Sequence, residues 1–192
     1  MNTYDPADGG LGAVAATRVT VPALLAALTA AGAVLAVPLP QLPVPFTLQT
    51  FFVLLSGAVA GPRDGAIAML AYIALGAAGV PVFSMMRGGL GVLLGPSGGY
   101  LLAFPLVPLV VGGLAGPSKN AGFARTLGSM VLGTAVIYAS ATVRIAHLTG
   151  RPALAVLPAV VLPFVPGDLI KAAAASLLAR KVLPVLSARR SR

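Results

Sequence analysis

The chain holds four acidic residues, Asp5, Asp8, Asp64 and Asp168, and Asp168 alone sits deep within an apolar stretch. Its context is Pro163-Phe164-Val165-Pro166-Gly167-Asp168-Leu169-Ile170-Lys171. Asp168 and Lys171 are three apart, so on a helix they share a face. A carboxylate accepts from N–H donors, and an ammonium donates to a carbonyl or carboxylate. Together they suit a small ligand carrying both kinds of group. Ionisable groups within a membrane are costly and mark functional sites. Two plainer roles compete. Asp168 can cap the last helix, and Lys171 can pair with Asp168 or snorkel to the interface.

A second constellation, Pro43-Val-Pro45-Phe46-Thr47-Leu48-Gln49-Thr50, opens the second apolar segment. Thr47 can cap a helix there. Gln49 and Thr50 are polar groups in an apolar run, suited to bonding between helices or to recognising an amide-like ligand. The third, Arg87 to Tyr100, is rich in glycine. It is no phosphate-binding loop, because no Gly-Lys-Ser/Thr follows. It is no dinucleotide fingerprint, because Leu94 stands in place of the third glycine. Gly95-Pro-Ser97-Gly-Gly99 does fit the nucleophile elbow. An intramembrane serine protease using Ser97 and His147 is therefore a minor alternative; the plainer reading is a turn that lets backbone approach a neighbour. With one His, no Cys and no Glu, no metal site or carboxylate pair is visible. The chain reads as a non-enzyme with no cofactor.

These residues must be positioned by membrane helices. The 192 residues are 58% hydrophobic and 9% charged, against roughly a quarter charged in soluble domains. The net charge of +9 is carried by residues set singly between apolar stretches, which is a topology signal and not a nucleic-acid surface. Met1 to Gly10 lacks a basic signal-peptide region, so the first apolar segment is expected to be retained in the cytoplasmic membrane.

The segments run Val19–Val37, Phe46–Ala60, Ala66–Gly79, Gly98–Gly116, Ala121–Leu148, a proline-broken Ala153–Val165, and a last helix from near Pro166 to Leu186. A spanning helix takes about 20 residues, so about six spans are expected. Pro38 to Pro45 is an uncharged irregular loop that could fold back over something. Gly61 to Gly65 is a compact turn, and Val80 to Ser97 is broken. Placing both termini inside puts nine Lys/Arg on the cytoplasmic side and four outside, as the positive-inside rule requires. The expected division is a polar tail over 1–18, a membrane domain over 19–186 and a basic tail over 187–192.

Small residues recur at four-residue spacing in Gly57/Gly61/Gly65, Gly91/Gly95 and Gly112/Gly116, and this favours close helix packing. Ala23, Ala27 and Ala31 share one face of the first helix and are the best candidates for docking another membrane subunit.

Taken in order, Pro45-Phe-Thr-Leu-Gln-Thr-Phe-Phe52, Gly61-Pro-Arg63, Gly79-Val-Pro-Val-Phe83, Gly88-Gly-Leu-Gly-Val-Leu-Leu-Gly-Pro-Ser-Gly-Gly-Tyr100 and Pro163-Phe-Val-Pro-Gly-Asp-Leu-Ile-Lys171 resemble the BioY family. These are the biotin-binding S components of energy-coupling-factor (ECF) transporters. The resemblance covers about residues 19 to 186. It implies an all-α, polytopic S-component fold of six helices, with biotin bound near the outer face beneath a lid formed by the first interhelical loop. It implies a transmembrane coupling protein and two ABC ATPases as partners, ATP being bound by those subunits and not by this chain. It leaves open whether the energising module is dedicated, shared or dispensed with, and whether the chain forms a homo-oligomer. Asp168, Lys171 and Gln49 carry over as ligand contacts, and Thr47 lies beside them. Arg87 departs from the family pattern and is kept as a candidate for the ligand carboxylate. Phe83, Met85, Met86 and Tyr100 are expected to pack on the ring. The alternative ligand is another vitamin of similar size.

Overall fold

The computed structural model describes residues 6–39, 42, 44–116 and 121–190. The Pro117 to Asn120 link and the loop residues Pro40, Gln41 and Pro43 lie outside them. The described chain is helical almost throughout. Helix α1 spans Pro6–Val34 and α2 spans Gln49–Ala77. Two-residue strands β1 (Ala36–Val37) and β2 (Phe46–Thr47) lie between them. A 3-10 turn at Ser84–Met86 leads to three short helices, α3 (Leu90–Leu94), α4 (Gly98–Ala103) and α5 (Leu106–Leu114). The long α6 (Phe123–Thr149), the short α7 (Ala153–Val161) and α8 (Val165–Arg190) complete the bundle. The expected boundaries at residues 18 and 186 fall inside α1 and α8.

Helix α2 is two arms, not one rod. Gly61 is non-helical at φ 86°, ψ −178°, a conformation that glycine alone adopts without strain. The amide of Gln49 reaches the hydroxyl of Tyr72, 23 residues away. A straight helix would separate them by about 34 Å, so the chain doubles back at Gly61. The expected turn is therefore present but tighter than the sequence suggested. Pro62 follows as the opening residue of the returning arm, where its missing N–H costs nothing.

Helix α5 packs into this hairpin. A Cβ on Gly57 would meet the backbone of Pro108, and one on Gly112 would meet the backbone of Gly61 and Pro62. Val53, Leu54, Val107 and Val111 fill the space between, fully buried. This bears out the packing role of these glycines. In lipid, close approach of backbones replaces the hydrophobic drive that holds soluble bundles together.

Helix Phe123–Thr149 is long and apolar enough to cross a membrane, Gln49–Ala77 is so only when its two arms are counted as one length, and Val19–Val34 and Gly98–Leu114 are shorter apolar helices. Ala153–Val161 and Val165–Pro184 form a pair bent by 59°. Large apolar side chains such as Leu24, Leu132, Leu154 and Ile170 point outward. Such a surface suits lipid, and the protein is a membrane protein. The fourth segment, expected over Gly98–Gly116, is one apolar helical stretch, Gly98–Leu114. Phe104 and Pro105 keep helical dihedrals, and the hydrogen-bond ladder lapses between α4 and α5, where Pro105 has no N–H to give.

Candidate functional site

The bend between α7 and α8 creates the setting for Asp168. Pro166 sits in the first turn of α8, where its missing N–H is not needed. The backbone N–H of Asp168 already bonds the carbonyl of Phe164 at 2.9 Å. Asp168 is thus inside the helix, and its carboxylate caps nothing: the N-cap expectation is corrected. The carboxylate turns into the bundle. Its Oδ1 accepts from Lys171 Nζ at 2.8 Å, and its Oδ2 accepts from Tyr138 Oη at 2.7 Å. Asp168 is 5% exposed and Lys171 7%.

Lys171 reaches beyond its acid. It also donates to the main-chain carbonyl of Thr47 at 2.5 Å. Its ammonium lies 3.6 Å from the ring centre of Phe46, a cation–π geometry. Phe46 and Thr47 form β2, which pairs antiparallel with β1, Ala36 opposite Thr47 and Val37 opposite Phe46. That ladder closes the base of the proline-rich loop. The ammonium therefore ties α8 to the loop's root.

Gln49 opens α2 and is buried. Its Oε1 accepts from the Thr47 hydroxyl at 3.0 Å, and its amide nitrogen donates to Tyr72 Oη. Tyr72 in turn donates to the carbonyl of Val82 at 2.9 Å. Thr47 was expected to cap α2. The position is taken by Leu48, and the Thr47 hydroxyl accepts only a long 3.4 Å contact from the Gln49 N–H.

These groups face a common cavity. Val44, Pro45, Thr47, Gln49, Tyr100, Phe164, Asp168 and Lys171 are among the residues lining it. Tyr100 and Phe164 set their ring centres 5.9 Å apart, and Phe46 stacks near Phe164 at 6.3 Å. One wall is thus aromatic and the floor is ionic. The open volume is about 40 Å³, room for a few water molecules. A second, larger hollow of about 360 Å³ lies outside it, lined by Pro38, Leu39, Leu42, Pro45, Met85 and Arg87. Pro45 lines both.

Five of the seven residues expected at the site converge: Asp168, Lys171, Gln49, Thr47 and Tyr100. Two do not. Phe83 is fully buried in the core, edge-on to Tyr72 at 5.6 Å, with its ring over Gly76. It is a packing residue. Arg87 is exposed and borders the outer hollow. Met85 and Met86 are also exposed and carry positive φ values of 60° and 55°, an uncommon conformation for residues with a side chain.

Tyr138, Tyr72 and Phe164 were not foreseen. A polar Tyr138-Ala-Ser140-Ala-Thr142-Val-Arg144 run on α6 was the available signal. Ser97 lines the cavity, whereas His147 is exposed near the end of α6. Among the described residues no hydrogen bond joins them. Gly99 instead lies against Ala141 and Arg144 of α6, its carbonyl accepting from Ser140 at 2.7 Å. The elbow-like sequence therefore serves as a close-packing turn.

Comparison with known proteins identifies the family and the fold. Residues 5–188 match the BioY family. A probable biotin transporter BioY of Pyrococcus horikoshii is 40% identical over 167 residues, 87% of this chain and 96% of that protein. The biotin transporter BioY of Thermotoga maritima is 42% identical over 159 residues, 83% and 91% of the two chains. The crystal structure of the S-component for biotin from an ECF-type ABC transporter superposes with a TM-score of 0.79 at 29% identity, covering 87% of this chain and 90% of that one. A bacterial ECF S component at 19% identity and TM-score 0.50 shares the fold alone. The chain belongs to the BioY family.

Proposed function

We propose that this member of the BioY family is a biotin-binding S component that takes up biotin across the cell membrane. The observation that carries this is the buried Asp168–Lys171 pair beneath the proline-rich loop. Biotin's ureido group offers two N–H donors and one carbonyl, and its thioether ring is apolar. Asp168 can accept an N–H, Lys171 or Gln49 can donate to the carbonyl, and Tyr100 and Phe164 can flank the ring. A cavity of about 40 Å³ must widen to take such a ring. Val44, Pro45 and Thr47 bring the root of the proline-rich loop into the wall, and we infer that this side gives way to admit the ring. The carboxylate tail then reaches the outer hollow, where Arg87 is the nearby cation.

We infer six membrane passes: α1, the two arms of α2, α4 with α5, α6, and α8. Both termini lie inside, the arrangement favoured by the lysine and arginine bias. ATP is bound by partner subunits, namely two ABC ATPases joined through a transmembrane coupling protein. Ala23, Ala27 and Ala31 are all exposed on one face of α1, which suits close approach by a helix of that coupling protein. The named relatives are transporters, and catalysis by this chain is not part of the proposal.

A competition panel tests the ligand. Purified protein should bind biotin and ignore thiamine, whose cation opposes Lys171, and riboflavin, whose larger ring demands more aromatic surface. Displacement of biotin by either would contradict the assignment. His147→Ala, outside the cavity, should leave biotin uptake intact, whereas a protease reading would require that histidine.

A further inference from the structure

Asp168 lies between two spaces of opposite character. On one side is the ligand cavity. On the other is a groove of about 190 Å³ between α6, α7 and α8, lined by Val131, Ala135, Val161, Leu169, Tyr138 and Asp168, among others. Val131 and Leu169 are exposed, so the groove opens on the outer, lipid-facing surface of the bundle. A carboxylate oxygen bare toward such a wall would lose its hydration with nothing in return. Tyr138, from the facing helix α6, supplies the missing donor at 2.7 Å.

We propose that Tyr138 is a positioning residue for ligand recognition, holding Oδ2 of Asp168 on the lipid-facing side so that the carboxylate's free lone pairs face the ligand's N–H groups. This rests on the biotin reading and deepens it. An ionised carboxylate offers about four acceptor sites. Lys171 and Tyr138 take one on each oxygen, which fixes the carboxylate plane and leaves the remaining sites for the ligand. Tyr100 provides the contrast. Its ring lines the same cavity, but its hydroxyl donates to the carbonyl of Val160 at 3.0 Å and not to Asp168. Substituting Tyr138 should therefore act through Asp168, whereas removing the Tyr100 hydroxyl should not alter the carboxylate.

Two measurements test the proposal. The first is infrared spectroscopy of the carboxylate stretch that disappears in Asp168→Asn. It should shift in Tyr138→Phe and stay in place in Tyr100→Phe. An unmoved band in Tyr138→Phe overturns the proposal without reference to biotin. The second is biotin titration of the wild type, Tyr138→Phe, Asp168→Asn and the double variant. Tyr138→Phe should weaken binding about tenfold, the scale of a hydrogen bond to a charged group. That loss should shrink to under about twofold in the Asp168→Asn background, because contacting residues are not additive. An equal loss in both backgrounds means that Tyr138 is merely structural and overturns the proposal. A wild type that binds no biotin sinks the functional reading itself, a result distinct from either of the others.

Discussion

The two ends of the α2 hairpin are built on opposite principles. At the Gly61 turn, glycines and prolines bring backbones together, and the surrounding core is apolar. At the other end, where Gln49 meets Tyr72, an acid, an ammonium, an amide and two phenols are joined by hydrogen bonds. The first end holds the bundle together in a solvent that gives apolar surfaces no reason to associate. The second bears the desolvation of a buried ion pair, which is at best a weak source of stability. The two ends thus make different demands on one hairpin: close backbone packing at the first, compensated burial of charge at the second.

The largest effect is expected at the packed end. Gly112→Val places a branched side chain against the backbone of Pro62, which cannot rotate away. Folded, monodisperse protein should be lost, and biotin binding with it. Recovery of a well-behaved variant by size-exclusion chromatography would show that the hairpin tolerates separation.

At the polar end, Lys171→Met leaves Asp168 buried without its counter-ion, a change of about 3–5 kcal/mol. The thermal midpoint in detergent should fall, and Lys171→Met with Asp168→Asn should recover much of it while still failing to bind biotin. Equal destabilisation in the single and double variants would mean that the pair is not coupled.

Phe83→Leu should have the smallest effect. It trims a core ring between Tyr72 and Gly76 and should cost about 1–2 kcal/mol of stability, with biotin affinity unchanged. A clear loss of affinity in a folded variant would return Phe83 to the site.

The sequence made some of this visible and hid the rest for physical reasons. Asp168 and Lys171 stood out because ionisable residues are rare in apolar runs, and their i, i+3 spacing alone predicted contact. Gln49 stood out likewise. The turn at Gly61 could be read from its glycine and proline, although its tightness could not, since Arg63 and Asp64 join the returning helix. Tyr138 was hidden because its partner is 30 residues away, on another helix, and helix register is not written in one segment. Phe83 was misplaced for a local reason: the turn that closes α2, with Val80 N–H on the carbonyl of Leu75 at 3.1 Å, folds its ring back over Gly76. Asp168 looked like a cap because Pro-Gly-Asp commonly precedes a helix, yet α8 begins three residues earlier.

The most direct test of the central claim is calorimetric titration of biotin into the wild type and Asp168→Asn at matched thermal stability. The account predicts binding by the wild type and a loss of about 1.5–3 kcal/mol in the variant, roughly 10- to 150-fold in Kd. Equal affinity in the two proteins, or no binding by the wild type, would contradict it.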